Sequence, residues 1–197
     1  MPDGKVFVLV FDGFADWEPA HALAEVRRSG GYDVVSVGFD QAPVRSMGGL
    51  RVLPSDTLAA LNPDEARLLI LPGGDMWEGE YPRKPVERVL LALHERRIPI
   101  AAICAGTLAL ARARLLEDRA HTSNGPDYIP GLVPDYGGQH RYVTDLAARD
   151  DGVITASGLG AVDFAREIFA ELAVFSHEDL AVWYGLFKHG TFPQHRS

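Results

Sequence analysis

The chain has 197 residues, 47% of them hydrophobic, with 20 Gly, 13 Pro and one Cys, enough to bury one substantial core as a single domain over residues 1–197. One cysteine excludes an intramolecular disulfide and a Cys-based zinc site, and a reducing cytoplasm is the expected location. Nineteen Lys plus Arg against 27 Asp plus Glu give a formal charge of −8, a field that argues against nucleic acid as a partner.

The N-terminal Met1-Pro2-Asp3-Gly4-Lys5 has no basic region and no cleavage site, and no apolar run approaches the roughly 20 residues that span a bilayer. Neither a membrane nor export is expected. Residues 6–11 form an unbroken apolar run closed by Asp12-Gly13, which reads as a strand buried on both faces. Over residues 17–28 the apolar positions Trp17, Ala20, Leu23, Ala24 and Val26 recur at helical spacing until Gly30-Gly31 stops them. Residues 34–39 supply the next strand, and strand, helix, strand with continuous apolar strands means parallel pairing under right-handed crossovers. Residues 43–53 read as an excursion or hairpin around Met47-Gly48-Gly49, before Asp56 starts a short helix. A third core strand covers residues 68–71 and ends at Pro72-Gly73-Gly74-Asp75. A helix follows over 85–96, a fourth strand over 98–103 and an Ala/Leu helix over 107–116. Residues 117–142 are rich in Gly, Pro, Asp and Tyr and carry little periodicity, as functional loops often do. Strands over 142–146 and 153–156 and helices over 161–172 and 178–187 complete the pattern. The expected fold is α/β, a flavodoxin-like three-layer sandwich around a mainly parallel sheet.

Cys104 follows the fourth strand directly and precedes Ala105-Gly106 and a helix. That is the carboxyl edge of a central strand, where open α/β sheets keep their ligands. A tight strand-to-helix turn projects a nucleophile outward and aims backbone amides at it. A helix N-terminus is also expected to favour thiolate, lowering the pKa from roughly 8.5. Otherwise a lone Cys behaves as a small buried hydrophobe.

Two further segments converge on the same edge, each following a parallel strand. Gly73-Gly74 can bring backbone N–H groups close to a bound oxygen, as an oxyanion hole or merely a turn. Asp12, Asp16 and Glu18 follow the first strand. A carboxyl here is a candidate general base or, if protonated by burial, a hydrogen-bond donor to sulfur; the alternative is helix capping and solvated charge.

Taken together, Ala101-Ala102-Ile103-Cys104-Ala105-Gly106, Leu71-Pro72-Gly73-Gly74 and Phe14-Ala15-Asp16-Trp17-Glu18, with Thr155-Ala156-Ser157-Gly158 later, resemble the ThiJ/PfpI family. That family includes the Parkinson-disease-associated protein deglycase and PfpI-type intracellular proteases, on the class I glutamine amidotransferase-like fold. The resemblance implies that Glu18 is a protonated carboxyl bonded to Cys104, that Gly74 and Ala105 supply oxyanion amides, and that the chain forms a homodimer or larger.

Departures from the family pattern narrow the chemistry. Protease-like members place His directly after the cysteine, where this chain has Ala105. In the deglycase branch a His ends a Thr-Thr-His strand; here Ala120-His121-Thr122-Ser123-Asn124 puts Ser123 or Asn124 at that place. Amidotransferases carry a late His-x-Glu, whereas His177-Glu178 are adjacent. Among the other candidates for the pocket, with Gly73, Asp16 and Asn124, His21 lies one helical turn from Glu18. His121 and His140 border the irregular 117–142 stretch, where either becomes a base only if the loop folds over Cys104. No His pair has the spacing of a helix metal site, so neither metal nor cofactor is expected. Ser157-Gly158-Leu159-Gly160 faintly resembles a phosphate cradle, but Asp163 occupies the place of its third glycine.

Two function classes remain. In one, Cys104 attacks an electrophilic carbon of a small molecule, an aldehyde, amide or nitrile-like centre, with glyoxalase- or amidase-like outcome. In the other, Cys104 is oxidised to sulfinate and the protein senses or buffers oxidative stress. The absent His weighs against peptide hydrolysis.

Overall fold

A computed structural model describes residues 4–192. Seven strands form the main sheet. They are β1 (Lys5–Leu9), β2 (Asp33–Gly38), β5 (Asp56–Thr57), β6 (Ala66–Leu71), β7 (Ile100–Ile103), β8 (Ala147–Asp150) and β9 (Val153–Ala156), in the order β5-β2-β1-β6-β7-β9-β8. Every neighbouring pair is parallel except β8 with β9. The remaining two strands, β3 (Val44–Arg45) and β4 (Arg51–Val52), form the expected hairpin. Apart from the short edge strands, the order is that of the flavodoxin-like sandwich, and the direction of winding reverses between β1 and β6.

Alternation along each strand divides the core into two layers. Phe7, Leu9, Leu69, Leu71, Ile100 and Ala102 face α2 (Arg83–Glu95), α3 (Thr107–Arg112) and α4 (Tyr128–Leu132). Val6, Val8, Leu68, Ile70, Ala101 and Ile103 face α1 (Ala20–Arg28), α5 (Ala161–Glu171) and α6 (His177–His189). Asp163 fastens the last two helices together, accepting from Tyr184 Oη at 2.7 Å and Lys188 Nζ at 2.6 Å.

Several boundaries differ from expectation. The first helix begins at Ala20 rather than residue 17, with Pro19 at its start. Proline disfavours helical geometry in the residue before it, so Glu18 stands in a turn and not on a helix. Asp56 belongs to β5, and Thr57 then caps a single 3₁₀ turn, Leu58–Ala60, by accepting from Ala60 N. The 142–146 segment is not a ladder strand; Tyr142 makes one isolated parallel bridge with His121, and the strand that pairs with β9 starts at Ala147. No helix among the described residues is long and apolar enough to cross a membrane.

Candidate active site

Cys104 leaves β7 with φ 56°, a left-handed backbone that a non-glycine residue adopts only under constraint. Two features impose it. A Cβ on Gly106 would lie 2.5 Å from Leu71 O, so the turn packs directly on β6. Thr107 Oγ1 donates to Cys104 O at 2.7 Å, and Ser123 Oγ lies 2.6 Å from Thr107 Oγ1, which ties the following loop to the elbow.

Glu18 arrives from the turn after β1 and is almost wholly buried. Its Oε2 accepts from Gly73 N at 2.6 Å, in the loop after β6. Gly73 has to be glycine for the two groups to meet, since a Cβ there would lie 2.8 Å from both Cys104 Cβ and Glu18 Oε2. Gly158, after β9, closes the other side; its added Cβ would stand 3.1 Å from Cys104 Sγ and 3.4 Å from Glu18 Oε1. Asn124 completes the ring around the sulfur, with Nδ2 donating to Cys104 Sγ at 3.1 Å while its Oδ1 accepts from Gly158 N at 3.0 Å. Gly74 N, the next amide along the loop after β6, donates to no acceptor among the described residues.

Burial is the main electrostatic influence on both acids. It raises the Glu18 carboxyl above its ordinary value, against the pull of the Gly73 N–H and the Cys104 thiol. It also pushes the Cys104 thiol up, aided by the negative charge of Glu18 and opposed by the Asn124 amide and the Ala105 N–H. The expected depression of the thiol pKa is therefore corrected. Cys104 lies in a 3₁₀ turn, Cys104–Gly106, and the helix beyond it has only six residues, too short to outweigh burial.

Cys104, Glu18, Gly73, Asn124 and the Ala105 amide thus come together, with Gly74 adjoining them, while three other pocket candidates are engaged elsewhere and a fourth is exposed. Asp16 accepts a short hydrogen bond from Ser46 and anchors the β3–β4 hairpin. His21 packs edge-on against Trp183 and Phe187 of α6, at 6.1 and 5.2 Å between ring centroids. His121 is buried, its Nδ1 on Arg119 O at 2.8 Å and its Nε2 in a short bond with Tyr136 Oη. Because the carbonyl must receive a proton, Nδ1 carries it and Nε2 accepts from the phenol. Burial lowers the pKa of this imidazole, in keeping with a neutral structural ring. His140 is exposed in the 3₁₀ turn Gln139–Arg141.

Gly158 closes the Thr155-Ala156-Ser157-Gly158 segment already marked in the sequence, whereas Tyr128 and Glu78, on the periphery, carry no sequence signal of their own. Tyr128 Oη donates to Glu78 Oε1 at 2.7 Å. The two belong to the aperiodic 117–142 stretch and to the loop after β6, where composition marks a loop but no spacing marks a residue. A cavity of about 350 Å³ lies apart from the sulfur, between α2, α3 and α4, and is lined by Tyr81, Val86, Arg112 and Leu132 among others. Among the described residues no group of three or more His, Cys, Asp or Glu is placed to hold a metal ion.

Comparison with known proteins gives concordant results. Residues 4–171 match the model of the DJ-1/PfpI family. The uncharacterized protease YoaZ of Bacillus subtilis is 36% identical over 196 residues, covering 95% of this chain and 92% of that protein. Deglycase TK1284 of Thermococcus kodakarensis is 29% identical over 119 residues, 60% of this chain and 71% of that protein. The crystal structure of the DJ-1 superfamily protein Atu0886 from Agrobacterium tumefaciens matches at a TM-score of 0.87 and 34% identity, covering 95% of this chain and 100% of that one.

Proposed function

This chain belongs to the DJ-1/PfpI family, and from that premise we propose that it is a cysteine-dependent enzyme acting on a small electrophilic carbonyl compound. The observation that carries this reading is the buried Glu18 carboxyl, held by Gly73 N–H at 2.6 Å against the half-buried thiol of Cys104. A carboxylate made more basic by burial is suited to take the proton of a thiol whose own pKa is raised. In the addition step Cys104 sulfur forms a bond to the carbonyl carbon as Glu18 receives the thiol proton. The π-electron pair of the carbonyl moves onto oxygen, and the N–H groups of Gly74 and Ala105 are the donors assigned to that oxyanion. With an aldehyde, return of the proton to oxygen gives a hemithioacetal. With an amide, collapse with loss of amine gives a thioester that water hydrolyses.

Peptide hydrolysis is disfavoured. Position 105 is Ala, and His121 is committed to Arg119 O and Tyr136 Oη rather than to sulfur. The name deglycase borne by one relative and the absence of a His on Cys104 among the described residues both favour aldehyde or glycated-adduct chemistry.

The second reading, oxidation of Cys104 to sulfinate in a sensing or protective role, is favoured by one contact. Asn124 Nδ2, at 3.1 Å from sulfur, can donate to a sulfinate oxygen. The deciding experiment offers an aldehyde, glycated thiols and amines, and simple amides to the wild type and to Cys104→Ser. Turnover lost in the variant is the expected result. Turnover retained by Cys104→Ser overturns the enzyme reading, as does a lack of turnover on every substrate; the latter, combined with selective peroxide oxidation of Cys104, establishes the second reading.

A further inference from the structure

The cavity of about 350 Å³ between α2, α3 and α4 contains an arginine with an unused edge. Arg112 ends α3 and is half-buried. Its Nη1 donates to Trp77 O at 2.6 Å and lies 3.4 Å from Tyr81 Oη. Among the described residues its Nε and Nη2 donate to no acceptor, and it makes no ion pair. A guanidinium taken partly out of water without an opposite charge is costly. Neither free nitrogen is sealed from solvent, and together they form the side of the group that takes both oxygens of a carboxylate in parallel hydrogen bonds.

That edge is held in place by the protein alone. Trp77, whose carbonyl anchors Nη1, is fully buried and donates its own Nε1 to Pro72 O at 2.8 Å. Arg112 Cζ stands over the Tyr81 ring, 5.5 Å from its centroid. A cation fixed by a buried carbonyl and an aromatic face has little rotamer freedom left to lose on binding. Charge then selects among anions. Arg83 and Arg114 also line the cavity and, with Arg112, outnumber Glu87 and Asp135, in a chain of net charge −8. The two acids nevertheless penalise a dianion more than a monoanion. Val86, Leu132 and the Tyr81 ring supply apolar wall. We propose that this cavity binds a small organic monocarboxylate, its two oxygens on the Nε–Nη2 edge of Arg112 and its apolar body against Tyr81, Val86 and Leu132. The volume lies in the range of small-molecule sites.

The proposal holds whether or not Cys104 turns over a substrate, because its readout is binding to the full chain. Benzoate is titrated calorimetrically into the wild type, with benzamide as the neutral isostere and phenyl phosphate as the dianion. One equivalent of benzoate should bind, roughly tenfold or more tighter than benzamide, the effect of a hydrogen bond between charged groups, and tighter than phenyl phosphate. Arg112→Lys keeps a cation for Trp77 O but loses the fork, and should weaken benzoate by about the same factor. Arg112 also ties α3 to the loop after β6, so an exposed position provides a second variant that leaves the core alone. Glu87→Gln removes a like charge and should tighten benzoate about two- to threefold. Cys104→Ser should bind benzoate as the wild type does, which separates this cavity from the thiol. An absence of benzoate binding, equal affinity for benzamide, a preference for phenyl phosphate, indifference to Arg112→Lys or Glu87→Gln, or loss of binding in Cys104→Ser overturns the proposal.

Discussion

The N–H of Gly73 donates to Glu18 Oε2 at 2.6 Å, so the loop after β6 orients the carboxyl that faces the thiol. The Gly73-Gly74 turn thereby fixes a group that comes to it from the turn after the neighbouring strand, β1.

Replacing Glu18 separates its charge from its shape. Glu18→Gln keeps an oxygen for Gly73 N–H but removes the base, and turnover should fall by about 10²- to 10⁴-fold. Cys104 should nevertheless alkylate with a lower midpoint, because a carboxylate that raises the thiol pKa is gone. In the wild type the acid limb of kcat/KM should lie above the ordinary carboxylate range, since burial raises Glu18 and activity needs its ionised form. That limb should be absent from Glu18→Gln. A midpoint that rises in the variant would contradict the assignment.

Glycine substitutions should divide sharply by location. A Cβ at Gly73 would lie 2.8 Å from Cys104 Cβ and from Glu18 Oε2, and Gly73→Ala should cost about 1–3 kcal/mol of stability and most of the thiol's reactivity. Gly131, on α4, meets nothing within 4 Å, and Gly131→Ala should be neutral or stabilising by up to about 1 kcal/mol. Urea titration of both variants checks the contrast.

His121 is placed as a structural group. Tyr136→Phe leaves its buried Nε2 without a donor and should destabilise the protein by about 1–3 kcal/mol. The alkylation profile of Cys104 should stay as in the wild type. A change in thiol midpoint without a change in Tm would instead give His121 a role in the chemistry.

Asp163 links stability to pH. Burial opposes its charge, but Lys188 and Tyr184 outweigh that and hold the carboxyl below its ordinary value. A group whose folded-state pKa is depressed stabilises above its unfolded pKa, and the contribution disappears as pH falls through the folded value. Thermal melts should therefore show stability lost below about pH 4, and Asp163→Asn should be less stable at pH 7 by about 1–2 kcal/mol, with a shallower acid limb. Equal melting temperatures at pH 7 would dismiss the linkage.

The layered sheet was legible because β1, β6 and β7 are buried on both faces and appear as unbroken apolar runs. Their carboxyl ends follow, and with them Cys104, Glu18 and Gly73. Residues 142–146 misled because Tyr142 and Val143 favour strands while the partner they meet is a single residue, His121. Thiol electrostatics were misjudged for a related reason: sequence shows that a helix follows Cys104 but not that burial around the sulfur outweighs it. Glu78 and Tyr128, 50 residues apart, meet through loops with no periodicity, and only coordinates bring them together.

Residues 18, 73, 104, 124 and 158 reach the sulfur from turns after four different strands and from one long loop, and no two of them are near in sequence. Contacts of such long range form late in folding, when the loops between them have been closed. The environment of Cys104 therefore has no partly assembled version in which a fragment of the sheet suffices. The single thiol serves as a built-in reporter of global folding, shielded and tuned only while the whole sheet is closed.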